Sequence, residues 1–442
     1  MKVSSHLLIV ATITTLAVGE AKPAKAQGTG SHVGLFGSSA PPLTASHRLD
    51  FTFSPIEGYD SDVPAVLGSS LGRTSPQLGG YFTMLIAAAD YARQRPRVDF
   101  GATVGSAVRY NSRLDEISAV THSAGIGIAA RLPGQTTLFI NQTAAYSPSY
   151  FYELFPVVTV PSPGDAMTLA PGYLVDRFES YAYGTTLKLT RGSSRGSSVT
   201  ATGDFNRTDW RQNGERPDLA IYSVGANFAH GVARTGEISG GYRYRTSEFG
   251  YTGGPTTEHM LHLGLSFAPA ISTTRRAMFG FSVSSSTLET RQSVNLGVLA
   301  GRRYQLLGDL QGSYIFRRTW RARAKYSREL QYLATLGEPV AANGASIDLD
   351  GFITYRLNLT AAAGYSSGKA ALRRDARSFD TYTGDVRLRY AWARSVGVFA
   401  EYLYYFYDFR RTPQIAPGLP RMLERNGVRV GLVLWVPALG RQ

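Results

Sequence analysis

The feature that most limits the fold is an apolar/polar alternation of period two that recurs along most of the chain. Across residues 378–392, Tyr382, Gly384, Val386, Leu388, Tyr390 and Trp392 share one parity, and Thr383, Asp385, Arg387 and Arg389 share the other. Successive side chains of a strand point to opposite faces, so this segment reads as a strand with one apolar and one charged side. Residues 346–355 repeat the pattern, with Ile347, Leu349, Gly351, Ile353 and Tyr355 opposite Ser346, Asp348, Asp350 and Thr354, and only Phe352 out of order. Residues 320–327 set Trp320, Ala322, Ala324 and Tyr326 against Arg321, Arg323, Lys325 and Ser327. In 304–316, Tyr304, Leu306, Leu310, Tyr314 and Phe316 face away from Gln305, Asp309, Gln311 and Ser313.

A soluble sandwich alternates too, so the connections decide between the two. Short links at 93–97, 131–135, 192–196, 229–234, 317–319, around Arg356 and at 393–395 interleave with longer ones. The longer ones lie near 57–78, 110–116, 147–176, 208–218, 247–256, 286–303, 329–343, 367–378 and 410–424. This predicts an all-β fold, a transmembrane antiparallel up-and-down β-barrel with short periplasmic turns, long extracellular loops and about 18 strands (about 16 to 20). Closing the sheet leaves no unpaired edge in lipid. Composition agrees: 47 Gly, 26 Tyr and 21 Phe go with strands, and zero Cys excludes disulfides and thiolate metal sites. Beyond the N-terminus no segment approaches the roughly 18 to 20 apolar residues of a membrane helix.

At the N-terminus, Lys2 and His6 precede the apolar run Leu7 to Val18, and Ala24-Lys25-Ala26 supplies a small-x-small cleavage pattern. Residues 1–26 are therefore expected to be a cleaved signal peptide. Residues 27–45, rich in Gly, Ser and Pro, are expected to be a flexible tether, and 46–442 the barrel.

Two segments carry a family resemblance. Arg48 to Phe53 runs into Gly58-Tyr59-Asp60-Ser61-Asp62-Val63, which resembles the Gly-Tyr-Asp-x-Asn-Val segment of the porin-2-like family of Gram-negative bacteria, with Asp62 in place of the usual Asn. Asn426 to Pro437 is similar to the closing strand of such proteins. The resemblance implies an outer-membrane β-barrel porin, surrounded by outer-membrane lipid and lipopolysaccharide and inserted by the barrel-assembly machinery. It says little about solute and nothing about oligomeric state.

On this reading the polar parity faces a wet lumen. The expected pore-lining residues are Arg243, Arg245, Asp309, Arg321, Arg323, Lys325, Asp348, Asp350, Asp385, Arg387, Arg389 and Glu401, with Asp99, Arg109, Glu237 and Arg429 as further inward charges. Basic residues slightly outnumber acidic ones among them, which predicts a weakly cationic lumen and a mild anion preference. Cross-strand ion pairing is their structural role, and the two roles are compatible. Trp320 and Trp392 fall on apolar faces at strand ends, where an interfacial girdle belongs; Trp210 and Trp435 fall on the other parity.

The stretch 147–176 is long and unusually apolar, with Phe151, Tyr152, Phe155, Pro156, Pro161 and Pro163. It is expected either to fold inward as a constriction loop or to cover the rim or a neighbouring protomer. Asp60 and Asp62 resemble a turn more than a calcium loop, since the further acidic ligands are missing. No catalytic, cofactor or metal site is expected: the histidines sit in no signature, His259 and His262 point to opposite strand faces, and no Gly-x-Ser-x-Gly elbow occurs. Net charge is +14, but the basic residues are spread along the chain and concentrated in turns such as Arg93, Arg95 and Arg97, which argues against nucleic acid. The expected function is passive diffusion of small hydrophilic solutes. The alternative is a non-conducting structural or assembly barrel, for example in polysaccharide export.

Overall fold

The computed structural model describes residues 47–61, 79–112, 116–147, 180–193, 196–210, 218–232, 236–250, 255–267, 276–290, 301–316, 319–333, 338–372, 378–408 and 422–441. The strands are β1 (His47–Asp60), β2 (Gly80–Gln94), β3 (Val98–Asn111), β4 (Glu116–Leu132), β5 (Thr136–Ser147) and β6 (Ser180–Gly192). They continue with β7 (Ser197–Trp210), β8 (Leu219–Gly231), β9 (Gly236–Phe249), β10 (Thr256–Phe267), β11 (Ala277–Thr290) and β12 (Gly301–Phe316). The last are β13 (Trp320–Leu333), β14 (Glu338–Thr354), β15 (Leu357–Ala370), β16 (Ser378–Ala391), β17 (Val396–Asp408) and β18 (Met422–Arg441). Each pairs antiparallel with its sequence neighbours, and β1 pairs with β18 from His47↔Arg441 to Asp60↔Gly427. The result is a closed 18-stranded barrel.

Its faces are inverted relative to a soluble protein. Leu261 and Leu263 are 63% and 70% exposed on the outside, as are Phe51, Phe53, Val386, Val428 and Val430, while Asp50, Thr52, Ser54 and Asp60 are buried inside. An apolar exterior over a polar interior is the distribution that hydrocarbon solvent selects. The barrel's core is therefore the inward face.

Local irregularities have sequence causes. Pro437 has no N–H to donate, and the β1–β18 register slips there, between Leu49 and Asp50. The tight Pro133-Gly134-Gln135 turn holds Gly134 at φ 73° and Gln135 at φ 57°, the left-handed region that a two-strand reversal demands and glycine supplies at little cost. Phe352, the odd residue of its strand, faces inward above a bulge at the end of β14 and packs with Ala391, Val433 and Trp435. Trp392 is 70% exposed, and Trp320 stacks on Phe316 at 5.9 Å, both on the outward parity.

Trp320 lies over Gly351, and any Cβ there would run into its indole ring. Gly351→Val should therefore destabilise the barrel by about 1–3 kcal/mol through overpacking, outweighing the strand propensity of valine, worth at most about 1 kcal/mol. A lowered urea midpoint of the refolded protein is the readout.

The long connections expected at 57–78 and 329–343 are shorter than the alternation suggests. Residues 57–60, 329–333 and 338–343 are strand, not loop. Segments that lose the apolar partner on one face still extend as strands, because backbone pairing continues where the lipid contrast ends.

Among the described residues, one pair of neighbouring strands parts before both have ended. β12 starts at Gly301 and β13 ends at Leu333, yet they pair only from Gly308↔Arg328 to Phe316↔Trp320. Beyond Arg328, β13 stays with β14, through Leu330↔Ala341 and Leu333↔Glu338. Leu330 and Tyr332 share parity with Tyr326, so in a continuous wall they would face outward. Instead Leu330 packs on Leu288 and Leu307, from the inward faces of β11 and β12, with Met260, Tyr332 and Ala341 around them. The upper ends of β13 and β14 have turned into the barrel.

Candidate functional site

All twelve expected pore-lining residues lie on the inward parity, and strand register pairs many of them. Arg321 stands opposite Asp350, and Arg323 Nε reaches Asp348 Oδ2 at 2.7 Å. Asn358 Nδ2 donates to Asp350 Oδ1 at 3.0 Å, and Ser282 Oγ donates to Asp309 Oδ1. Arg387 Nη2 meets Glu401 Oε1 at 2.7 Å, with Arg429 Nε 3.7 Å from Glu401 Oε2. Asp385 and Arg389 are buried beside them. Arg245 Nη1 donates to Glu258 Oε2 at 3.1 Å, Arg243 sits two residues along the same face, and Lys325 pairs with Ser346. The inward face is thus a lattice of charge-assisted contacts across the ladder.

Two constellations escape a reading by single strands. The first joins β1, β3, β17 and β18 at the closure of the barrel. Asp60 takes Nη2 of Arg109 at 2.9 Å on Oδ2 and both Nε and Nη2 of Arg425, while Arg425 Nη1 donates to Tyr405 Oη. Arg109 Cζ lies 3.9 Å from the Phe82 ring centroid. Asp60, Arg109 and Arg425 are 3%, 2% and 2% exposed, so each charge depends on its partners. Two guanidiniums thus converge on one carboxylate. Here Asp60 serves two arginines at the end of β1; Asp62 lies outside the described residues.

The second surrounds Glu258 on β10. Its Oε1 accepts from Ser286 Oγ at 2.8 Å, and its Oε2 accepts from Tyr332 Oη at 2.8 Å and from Arg245. Arg245 Cζ stands 4.8 Å from the Tyr332 ring, whose other neighbour is Phe249, stacked at 6.5 Å and 15°. Neither Glu258 nor Tyr332 stands out in the sequence: Glu258 shares its face with Met260 and His262, and Tyr332 sits on the apolar parity.

At the end of the barrel that carries the short turns, two carboxylates meet. Asp50 and Asp90 are direct cross-strand partners, both buried, with Arg48 Nε 2.9 Å from Asp50. The histidines are scattered: His122 bonds Ser106, His230 bonds Ser197, His259 bonds Tyr242 outside, and His262 bonds Asn227 inside. Among the described residues no cluster of His, Asp or Glu could hold a metal ion. The expected signal peptide and tether, the apolar loop with Phe151, Tyr152, Phe155, Pro156, Pro161 and Pro163, and the side chain of Trp210 lie outside the described residues.

No family model matches the sequence, and no curated protein matches it either. Among solved structures, Pseudomonas aeruginosa OccK2 (OpdF) in complex with glucuronate is similar at TM-score 0.45 and 10% identity, over 90% of this chain and 100% of that one. P. aeruginosa OccK9 (OpdG) follows at 0.43 and 11%, covering 88% and 98%. The siderophore receptor PirA of P. aeruginosa aligns at 0.44 and 7%, covering 90% and 81%. At such scores the barrel rests on this chain's own strand pairing.

Proposed function

We propose that the protein is an outer-membrane channel of a Gram-negative bacterium, exported through a cleaved signal peptide, that gives passive diffusion to small hydrophilic solutes with a mild preference for anions. One observation carries this reading: a closed ring of 18 strands with exposed leucines and valines outside and ion-paired arginines and carboxylates inside. Such a wall needs lipid around it and water within it. Its surroundings would be outer-membrane lipid and lipopolysaccharide, reached through the barrel-assembly machinery. The pore-lining role of Arg243, Arg245, Asp309, Arg321, Arg323, Lys325, Asp348, Asp350, Asp385, Arg387, Arg389 and Glu401 belongs to this proposal. So does the girdle role of Trp320 and Trp392. The inward contacts are wall-building pairs rather than a nucleophile with its base, which favours transport over catalysis.

A second reading, a non-conducting structural or assembly barrel, draws support from the depth of burial inside: Tyr405, Tyr407 and Arg425 have 2% exposure or less. Planar-bilayer recording of the refolded protein separates the two. Stable conductance steps, with a reversal potential displaced toward the anion equilibrium under a salt gradient, are expected. A folded, heat-modifiable barrel that carries no current in any variant would establish the second reading.

A further inference from the structure

We infer that the inward-turned ends of β13 and β14 form the constriction of this barrel, latched to the inner face of β9 and β10 by the hydrogen bond from Tyr332 to Glu258. The inference rests on the channel reading above, but its geometry stands apart from it. Neighbouring strands in a sheet lie about 4.8 Å apart, so β10 and β13, three places apart, would be about 14 Å apart along the wall, and β9 and β13 about 19 Å. Yet Tyr332 Oη stands 2.8 Å from Glu258 on β10, and its ring stacks on Phe249 of β9 at 6.5 Å. A side chain of outward parity on a continuous wall reaches neither. The end of β13 therefore leaves the wall and lies over the inner faces of β8 to β12, carrying Leu330, Tyr332 and, through its pairing, Ala341.

The inward turn is built on both sides. Toward β8 to β12 it buries Leu330 and Tyr332 against Leu288, Leu307, Leu219 and Phe249. On the other parity, Glu338, Val340 and Ala342 are 5%, 1% and 1% exposed. A strand end with both faces buried cannot belong to a single-layer wall, which always leaves one face to lipid or water. The apolar contacts hold the inward turn in place, and the Glu258 carboxylate fixes its position by accepting from Tyr332, Arg245 and Ser286 together. Because two aligned strands are stiffer than an irregular loop, this constriction would set a sharp size limit, and its opening would require the latch to break.

The chain contains no cysteine, so introduced thiols react alone. The double variant Phe249→Cys/Tyr332→Cys, refolded in vesicles, should be bridged within the monomer by a short bifunctional thiol reagent. Failure to bridge in a folded barrel would place β13 in the wall and overturn the inference. The functional arm uses Tyr332→Phe, which keeps the ring contacts and removes the latch hydroxyl. A hydrogen bond to a charged acceptor accounts for roughly a tenfold shift in such a balance. The variant should spend roughly ten times longer in a larger conductance state and admit larger neutral sugars in vesicle swelling. Glu258→Gln serves as the second variant and should act in the same direction.

Current in both variants identical to wild type would overturn the constriction even if the thiols bridge. A silent wild type beside conducting variants would uphold it while removing the open-channel reading. Silence in all of them would remove both.

Discussion

Replacing Asp60 by alanine should destabilise the folded barrel by about 3–5 kcal/mol, the cost of leaving a buried ion pair half made. Arg109 and Arg425 both reach this carboxylate, and neither has more than 2% of its surface in water. Without it two buried guanidiniums lose the carboxylate they share. The expected result is a large drop in the urea midpoint of the protein folded in lipid vesicles, read by the gel shift between heated and unheated samples. Adding Arg425→Met should restore much of the loss, since it removes one of the two buried charges that had shared the carboxylate and keeps most of the apolar stem. A loss below about 1 kcal/mol, the size seen for solvated pairs, would mean that water reaches this cluster.

The second large effect lies on the opposite face. Val386 is exposed on the outside of β16, between Tyr382 and Tyr390 of the same parity. On the channel reading those two rings would mark the levels where aromatic girdles meet the membrane surfaces, which would put Val386 near the midplane. Val386→Arg should cost about 2–4 kcal/mol in a bilayer, whereas the adjacent inward position already carries Arg387, paired with Glu401. Equal stability of the variant and the wild type in lipid would show that this face does not meet hydrocarbon.

Most of the barrel was legible because lipid and lumen impose opposite demands on alternate residues. The strand number, the inward parity of the charged residues and the outward parity of Trp320 and Trp392 all follow from that contrast. Its limits are equally physical. At residues 57–60 and 338–343 the alternation fades, at 338–343 because both faces are buried, and the segments read as loops. Leu330 and Tyr332 fall within the expected 329–343 connection, and parity alone cannot reveal that a strand end leaves the wall. Phe352 looked like a defect, though it fills the space under Ala391 and Trp435. Asp60 and Arg425 escaped for another reason: their contact spans 365 positions and exists only once the ring closes.

That closure bears on how the molecule comes to be. Because β1 pairs with β18, the first strand waits for its second partner until the last one is available, and every earlier stage presents two bare strand edges. Contacts so remote in sequence form slowly, and open edges invite pairing with other chains. An unclosed intermediate would need shelter until Asp60 meets Arg425, so the rate of that final meeting, rather than the strength of any one strand pair, would govern how much protein matures and how much aggregates.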